Sequence, residues 1–383
     1  MYRNIQCLIQ CKILIFIVLF LAPFAYAKHY SLSADSIESQ LPIVLATLED
    51  GDSISIPPGN FRFTRALNVV AKKIQIAGAG SRNTVLDFSA QKDGAQAILA
   101  RGWDIRLKGF SIIAPIGDGL VIRNSARVSL EDIYVDMNRP GGSKNGAYGI
   151  YPVRSQHISM RNLRATGASD AGIYLGQSKF AIISNCEAYQ NVAGINIENS
   201  VHVSVENNHL HHNTTGIFTT SLPDMIYPFS EDLQFKSNVI ENNNGKNFST
   251  KGTLMHGITP GIGMLLIATH NAKIAENKFN GNKIQDLLID DYYYLNRPPH
   301  PGTFKPAVGN TRLSNNSIKI PISINKKYEK QLCKETNSII NYTIIEGSEL
   351  RSLEDECKNK SVSEIKAKEA KVQEPKFNNT IKH

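Results

Sequence analysis

The chain has little of what staples a small secreted domain or anchors a membrane protein. It holds 5 cysteines and 1 tryptophan in 383 residues, too few cysteines for a disulfide-dense scaffold. Charged residues make up only 20% and aromatics 8%, against 42% hydrophobic. That balance excludes a disordered chain, and the length suits one large domain or two ordinary ones. Beyond residue 27 no stretch approaches the ~20 consecutive apolar residues of a bilayer-spanning helix, so no membrane partner is expected of the mature chain.

A formal charge of +8 invites a nucleic-acid reading until it is located. Arg3 and Lys12 supply two of these charges, and residues 358–383 carry seven lysines against three glutamates. The body between them is nearly neutral, and no nucleic-acid partner follows.

The start of the chain points to export. Arg3 and Lys12 precede the apolar run Ile13–Leu21, and Ala25-Tyr26-Ala27 follows it. A basic start, a short apolar core and a small-x-small site describe a signal peptide cleaved after Ala27. Cys7 and Cys11 would leave with it. Cys333 and Cys357 could close a C-terminal loop in an oxidising compartment.

What the chain does have is a repeat. Gly149, Gly172, Gly194 and Gly216 stand 23, 22 and 22 residues apart, each opening a similar segment such as Gly172-Ile173-Tyr174-Leu175. Ser155, Ser178 and Ser200 fall six residues after the first three, and Asn162, Asn185 and Asn207 thirteen after. Gly119 fits the same frame through Ser125 and Asp132. Alternating apolar residues at Val128, Ile158, Ala181, Val203 and at Leu130, Met160, Ile183, Val205 mark short half-buried strands, and the Gly, Ser and Asn positions mark turns. Three short strands per repeat, stacked, predict an all-β, single-stranded right-handed parallel β-helix. Leucine-rich repeats would need a leucine scaffold that is absent, and a propeller blade about twice the length.

The expected layout is a signal peptide (1–27), an N-terminal segment with a capping helix (28–50), the β-helix (51–325), a C-terminal extension (326–357) and a disordered lysine-rich tail (358–383). Ile37, Leu41, Leu45 and Leu48 form the helical stripe, with Pro42 inside it. The chain is expected to be monomeric. Cys186 lines up with Ile133 and Leu163 and should point into the core. The asparagines at the thirteenth position are expected to stack as an amide ladder, with Asn238 as the partner of Asn207.

If Ile173 and Leu175 face inward, Tyr174 faces outward, in a column with Tyr151, Asn196 and Phe218. Coils about 4.8 Å apart would make that column a flat strip of aromatics and amides, suited to stacking on an extended polysaccharide. Insertions around residues 138–145, 222–228 and 242–263 frame it, and inserted loops are where a solenoid places its site. For catalysis, Asp118, Asp170, Arg154, Glu198 and Lys144 are the candidates. A hydrolase needs two carboxyls roughly 5–9.5 Å apart. Glu198 and Asp290 share one column three coils apart, about 14 Å, and Asp170 and Glu198 lie six strand positions apart, about 20 Å. That spacing speaks against a hydrolase, with Asp224 as the loop acid in reserve. A uronate lyase or epimerase needs a base and a cation instead. His209, His211 and His212 cluster on one turn, but their spacing matches no known ligand pattern, so neither a metal nor another cofactor is expected.

Three segments carry a resemblance: Gly146-Ala147-Tyr148-Gly149-Ile150-Tyr151-Pro152-Val153, Gly167-Ala168-Ser169-Asp170-Ala171-Gly172-Ile173-Tyr174-Leu175-Gly176-Gln177-Ser178, and Asn191-Val192-Ala193-Gly194-Ile195-Asn196-Ile197-Glu198-Asn199-Ser200. Gly216-Ile217-Phe218 with Leu222-Pro223, and Glu241-Asn242-Asn243-Asn244 with Asn247-Phe248, continue it. Over roughly residues 35–300 the chain resembles the exported parallel β-helix repeat proteins that bacteria often encode beside a dihaem c-type cytochrome. The resemblance implies a pectin-lyase-like β-helix, export, and a periplasmic cytochrome as partner; it assigns no biochemical role. More loosely, the coils are similar to repeats shared by mannuronan C5-epimerases and the periplasmic copper-maturation protein of nitrous oxide reductase. The Asp-Pro-His-Asp motif of the epimerases is absent, as is the Gly-His-Gly of polygalacturonases, since His256-Gly257 follows Met255. Two functions therefore stand: a polysaccharide-binding protein, lyase- or epimerase-like if catalytic, or a non-enzymatic periplasmic accessory protein.

Overall fold

The computed structural model describes residues 27–138, 145–223 and 225–296, together with 304, 308–309, 311–320 and 323–324. Residues 1–26, where a signal peptide is expected, lie outside the described residues, as do Lys144, Asp224, Cys333, Cys357 and the segments expected as a C-terminal extension and a lysine-rich tail.

Each repeat turns into one coil of three parallel strands. Ala171–Gly176, Lys179–Ser184 and Glu187–Tyr189 complete one turn, and Ala193–Glu198 begins the next directly beside Ala171–Gly176. The first strand of every coil joins one ten-stranded sheet, and the other strands form a nineteen-stranded sheet that bends around the remaining sides. Every pairing is parallel and in register, so residues one period apart stack: Ile150, Ile173, Ile195, Ile217, Met264 and Leu287 form one buried column in the bore. This is the right-handed parallel β-helix that the period predicts.

The repeated polar positions are architectural. The Ser155 hydroxyl accepts from Ser125 N at 3.0 Å, Ser178 from Ser155 N at 3.1 Å, and Ser200 from Ser178 N at 3.1 Å, all buried. The repeat glycines allow close approach: a Cβ on Gly194 would stand 2.7 Å from the Gly216 carbonyl oxygen. Cys186 is 2% exposed, as expected, and burial pushes its thiol up to about 12.

The amide ladder is present but not where the repeat frame places it. Asn162, Asn185 and Asn207 sit at φ of 53°, 53° and 56°, a left-handed turn position that asparagine tolerates. The stack lies one residue later: Asn208 Nδ2 donates to Asn238 Oδ1 at 2.9 Å and Asn238 Nδ2 to Asn277 Oδ1 at 2.9 Å. A second stack runs from Asn191 through Asn213 and Asn243 to Asn282. Asn238 thus partners Asn208, not Asn207.

At the N-terminal end the ladder starts earlier than expected, because His29–Ser31 pairs with Ser53–Ser55. The helix Ile37–Ala46, with Pro42 inside it, buries Ile37, Leu41 and Leu45 in the same core as Ile54 and Phe61.

Candidate functional site

The ten-stranded sheet does present Tyr151, Tyr174, Asn196 and Phe218 in one outward column. The open strip expected there is corrected by burial: Tyr174 is 4% exposed, Asn196 1% and Phe218 0%. Tyr174 and Phe218 belong to a second apolar cluster, outside the bore, with Leu222, Met255, Ile258, Leu265 and Tyr292. Two insertions roof that face. Asn199 ties down the first, accepting from Leu222 N at 3.0 Å and donating to the Leu222 and Tyr227 carbonyls at 2.7 Å. Asn247 ties down the second, donating to the carbonyls of Met255 at 2.8 Å and Ile258 at 2.9 Å. The physical reason is plain: an outward row of apolar rings is itself a surface that loops can dry.

At one edge of the roof three tyrosines meet. Tyr148 lies 4.5 Å from both Tyr151 and Tyr174 between ring centroids, and Tyr151 meets Tyr174 edge-on at 5.0 Å. The candidate acids gather around them. The Tyr174 hydroxyl donates to Glu198 Oε1 at 3.0 Å, and Tyr148 N donates to Asp118 Oδ1 at 3.1 Å. Asp170 is 7% exposed, and its Oδ1 has no hydrogen-bond partner. Burial first, then the nearby Glu198 charge, pushes Asp170 up to about 7, against hydrogen bonds from Asn196 and Tyr148 and with a further push from Asp118. Burial likewise pushes Asp118 up to about 6, opposed by hydrogen bonds from the backbone of Tyr148 and Ala147 and by the Arg123 cation. All three tyrosine hydroxyls are held above their usual range, chiefly by burial.

Asp170 and Glu198 are therefore neighbours in charge, where strand counting sets them about 20 Å apart. Counting follows the backbone, whereas the Tyr174 side chain runs along its strand over Gly176 to meet Glu198. Asp290 does share the Glu198 column, three coils away. Arg154 is exposed, and its charge, with that of Arg123, is felt at the Tyr151 hydroxyl. Half-buried Tyr148 and Tyr151 and these two arginines lie on the more accessible side of the Asp118–Asp170 cluster.

A second surface has no counterpart among the expected sites. His157, Phe180 and His202 stack nearly flat on the nineteen-stranded sheet, at 4.9 and 5.0 Å and interplanar angles of 14° and 9°. Phe180 is 43% exposed, Ile182 beside it is 41% exposed, and the rings line an open groove with Asp232. The signal was in the sequence: Arg127, His157, Phe180 and His202 each stand eight residues after a repeat glycine. All four adopt φ near 50°, which turns the side chain out beside its neighbour in the next coil.

His209, His211 and His212 are also paired rather than merely solvated, through Glu241, Glu187 and each other.

Residues 118–294 match the family model of the right handed beta helix region. The chain folds as a right-handed parallel β-helix. Among solved structures, the A-module of mannuronan C-5 epimerase AlgE6 from Azotobacter vinelandii is similar to this β-helix with a TM-score of 0.55 at 17% identity, over 78% of this chain and 85% of that one. The alginate lyase of Paenibacillus sp. FPU-7 gives 0.47 at 16% identity, over 77% of this chain and 97% of that one. Pre-mature gene product 12 of bacteriophage phi29 gives 0.48 at 16% identity, and the β-helix spans 52% of it. At such identities the likeness is one of fold. No curated protein matches the chain in sequence. No helix among the described residues is long and apolar enough to cross a membrane.

Proposed function

We propose that this β-helix is an exported protein that acts on an acidic polysaccharide, through proton transfer at a uronate residue rather than hydrolysis. The observation that carries the reading is Asp170, a buried carboxyl with an unpartnered oxygen, pushed up to about 7 beside Glu198 and Tyr148. A group poised near the working pH both takes and returns a proton, and such a group in a cleft with charged partners marks a functional site. Arg123 and Arg154 at the rim supply cations for a sugar carboxylate, and Asp118 in its protonated form supplies a further hydrogen-bond donor. Tyr148, whose hydroxyl stays protonated, is the donor on the other side of the transferred proton. The His157–Phe180–His202 stack offers flat rings at coil spacing for a longer stretch of the sugar chain.

Affinity electrophoresis of the mature chain through gels cast with a polyuronate or with a neutral glucan tests this. Retardation is expected in the polyuronate alone, weakened in Arg123→Ala and Arg154→Ala by roughly tenfold each, about the 1.4 kcal/mol of one rim contact. Equal mobility in both gels overturns the reading.

A further inference from the structure

The strands Glu187–Tyr189, His209–His211 and Val239–Glu241 lie side by side, with Glu187 beside His209 and His211 beside both Tyr189 and Glu241. Their middle residues Ala188, Leu210 and Ile240 are fully buried in the bore, so the flanking side chains turn outward. Glu187, His209, His211 and Glu241 thus share one outer patch. Cross-strand contacts hold it: His209 Nε2 is 2.9 Å from Glu241 Oε1, and His211 Nε2 is 3.2 Å from Glu187 Oε1. Tyr189 stacks flat on the His211 ring at 5.3 Å and 2°, and His211 Nδ1 meets His212 Nδ1 at 2.8 Å. The two strand histidines have ring centroids only 4.2 Å apart.

We propose that Glu187, His209 and His211 form a binding site for a divalent transition metal of the zinc class. One ligand atom from each of the three lies within 4.8 Å of the others. Ligands on an ion with bonds of about 2.0–2.2 Å stand somewhat closer than that, a contraction that side-chain rotation supplies without moving a strand. Two imidazoles and one carboxylate suit zinc and its neighbours, whereas calcium and magnesium take oxygen ligands. With His209 Nδ1 on the ion, its Nε2 would keep the contact to Glu241 Oε1, the arrangement that fixes ring orientation at metal sites. A set of three leaves a coordination position open to water or a sugar hydroxyl. The site rests on a different strand row and a different observation from the Asp170 cluster.

The competing account is a pair of cross-strand His–Glu contacts with no ion. Metal-freed, untagged mature protein titrated with Zn²⁺ against a chromophoric chelator separates the two. One equivalent is expected to bind, with His209→Ala and His211→Ala each weakening it at least about tenfold, Glu241→Gln by a smaller factor, and His29→Ala, at an exposed histidine of the first strand, leaving it unchanged. Co²⁺ should give the visible bands of a four- or five-coordinate ion. In the unsubstituted chain, Zn²⁺ should also protect His211 from carbethoxylation, which removes any dependence on variants folding. Absence of stoichiometric binding, or binding undiminished in the His209→Ala, His211→Ala double variant, or no protection of His211, overturns the proposal.

Discussion

The Tyr174 hydroxyl reaches Glu198 by lying across Gly176, where a Cβ would collide with the Tyr174 ring and its oxygen. One glycine without a side chain thus lets a tyrosine from its own strand run toward the next coil. Gly176→Ala is expected to destabilise the fold by about 1–3 kcal/mol, the usual cost of overpacking. In a Tyr174→Ala background the same change should cost little. Urea unfolding of the four chains gives the coupling; additive losses would contradict the packing relation.

Tyr174→Ala itself should behave as a core substitution and not as a surface one. Removing a ring that is 4% exposed is expected to cost about 3–5 kcal/mol, as for other large aromatics. Phe180→Ala, at a ring that is 43% exposed, should leave the urea midpoint close to wild type while weakening polyuronate retardation.

Asn207 and Asn208 are adjacent, yet only the second is buried and stacked. Asn208→Ala strands the Cys186 N–H and removes the amide bonds to the Ile183 carbonyl and the Asn238 oxygen, which keeps only the Asn208 backbone N–H, and should cost roughly 3 kcal/mol. Asn207→Gly, at φ of 56°, should be nearly neutral. Denaturation midpoints of the two variants check this; equal losses would return the ladder to the turn position.

Both raised carboxyls make stability depend on pH in one direction. The folded chain holds a proton on Asp170 up to about 7 and on Asp118 up to about 6, against an ordinary value of 3.8. Between those limits the folded state binds more protons than the unfolded one, so this contribution to stability is full below about 4 and falls as pH rises to about 7. Asp170→Asn cannot lose that proton. It should gain stability relative to wild type as pH is raised from about 4 to about 7, the interval between the unfolded and folded values of the group, and hold that gain above it. A difference between the two chains that stays constant across that range would contradict the assignment.

The bore was fully legible because a 22-residue period and a two-residue alternation together say which side chains face inward. Gly172, Ser178 and Ile173 follow from that arithmetic alone. The same arithmetic says that Tyr174 and Phe218 face outward, but not what lies over them. The roofing segments around Leu222 and Met255 have no period, and their placement comes from apolar contacts distant in sequence. The ladder at Asn208 was misplaced by one residue because turn and stack both favour asparagine, one for its left-handed backbone and one for its amide. Strand counting sets Asp170 and Glu198 six positions apart along the backbone, and it does not report the charge of Glu198 that acts on buried Asp170. His157, Phe180 and His202 repeat with the period and could have been read from it.

The most direct test of the central claim is solvent-proton exchange at C5 of a polyuronate. Incubated with the mature chain in deuterated buffer, the substrate should acquire deuterium at C5, or new unsaturated ends, as read by NMR. Asp170→Asn should abolish this while the protein stays folded. A polyuronate panel that binds the protein yet shows neither exchange nor unsaturated ends would contradict an acid–base role for Asp170 and leave a β-helix that holds its ligand without transforming it.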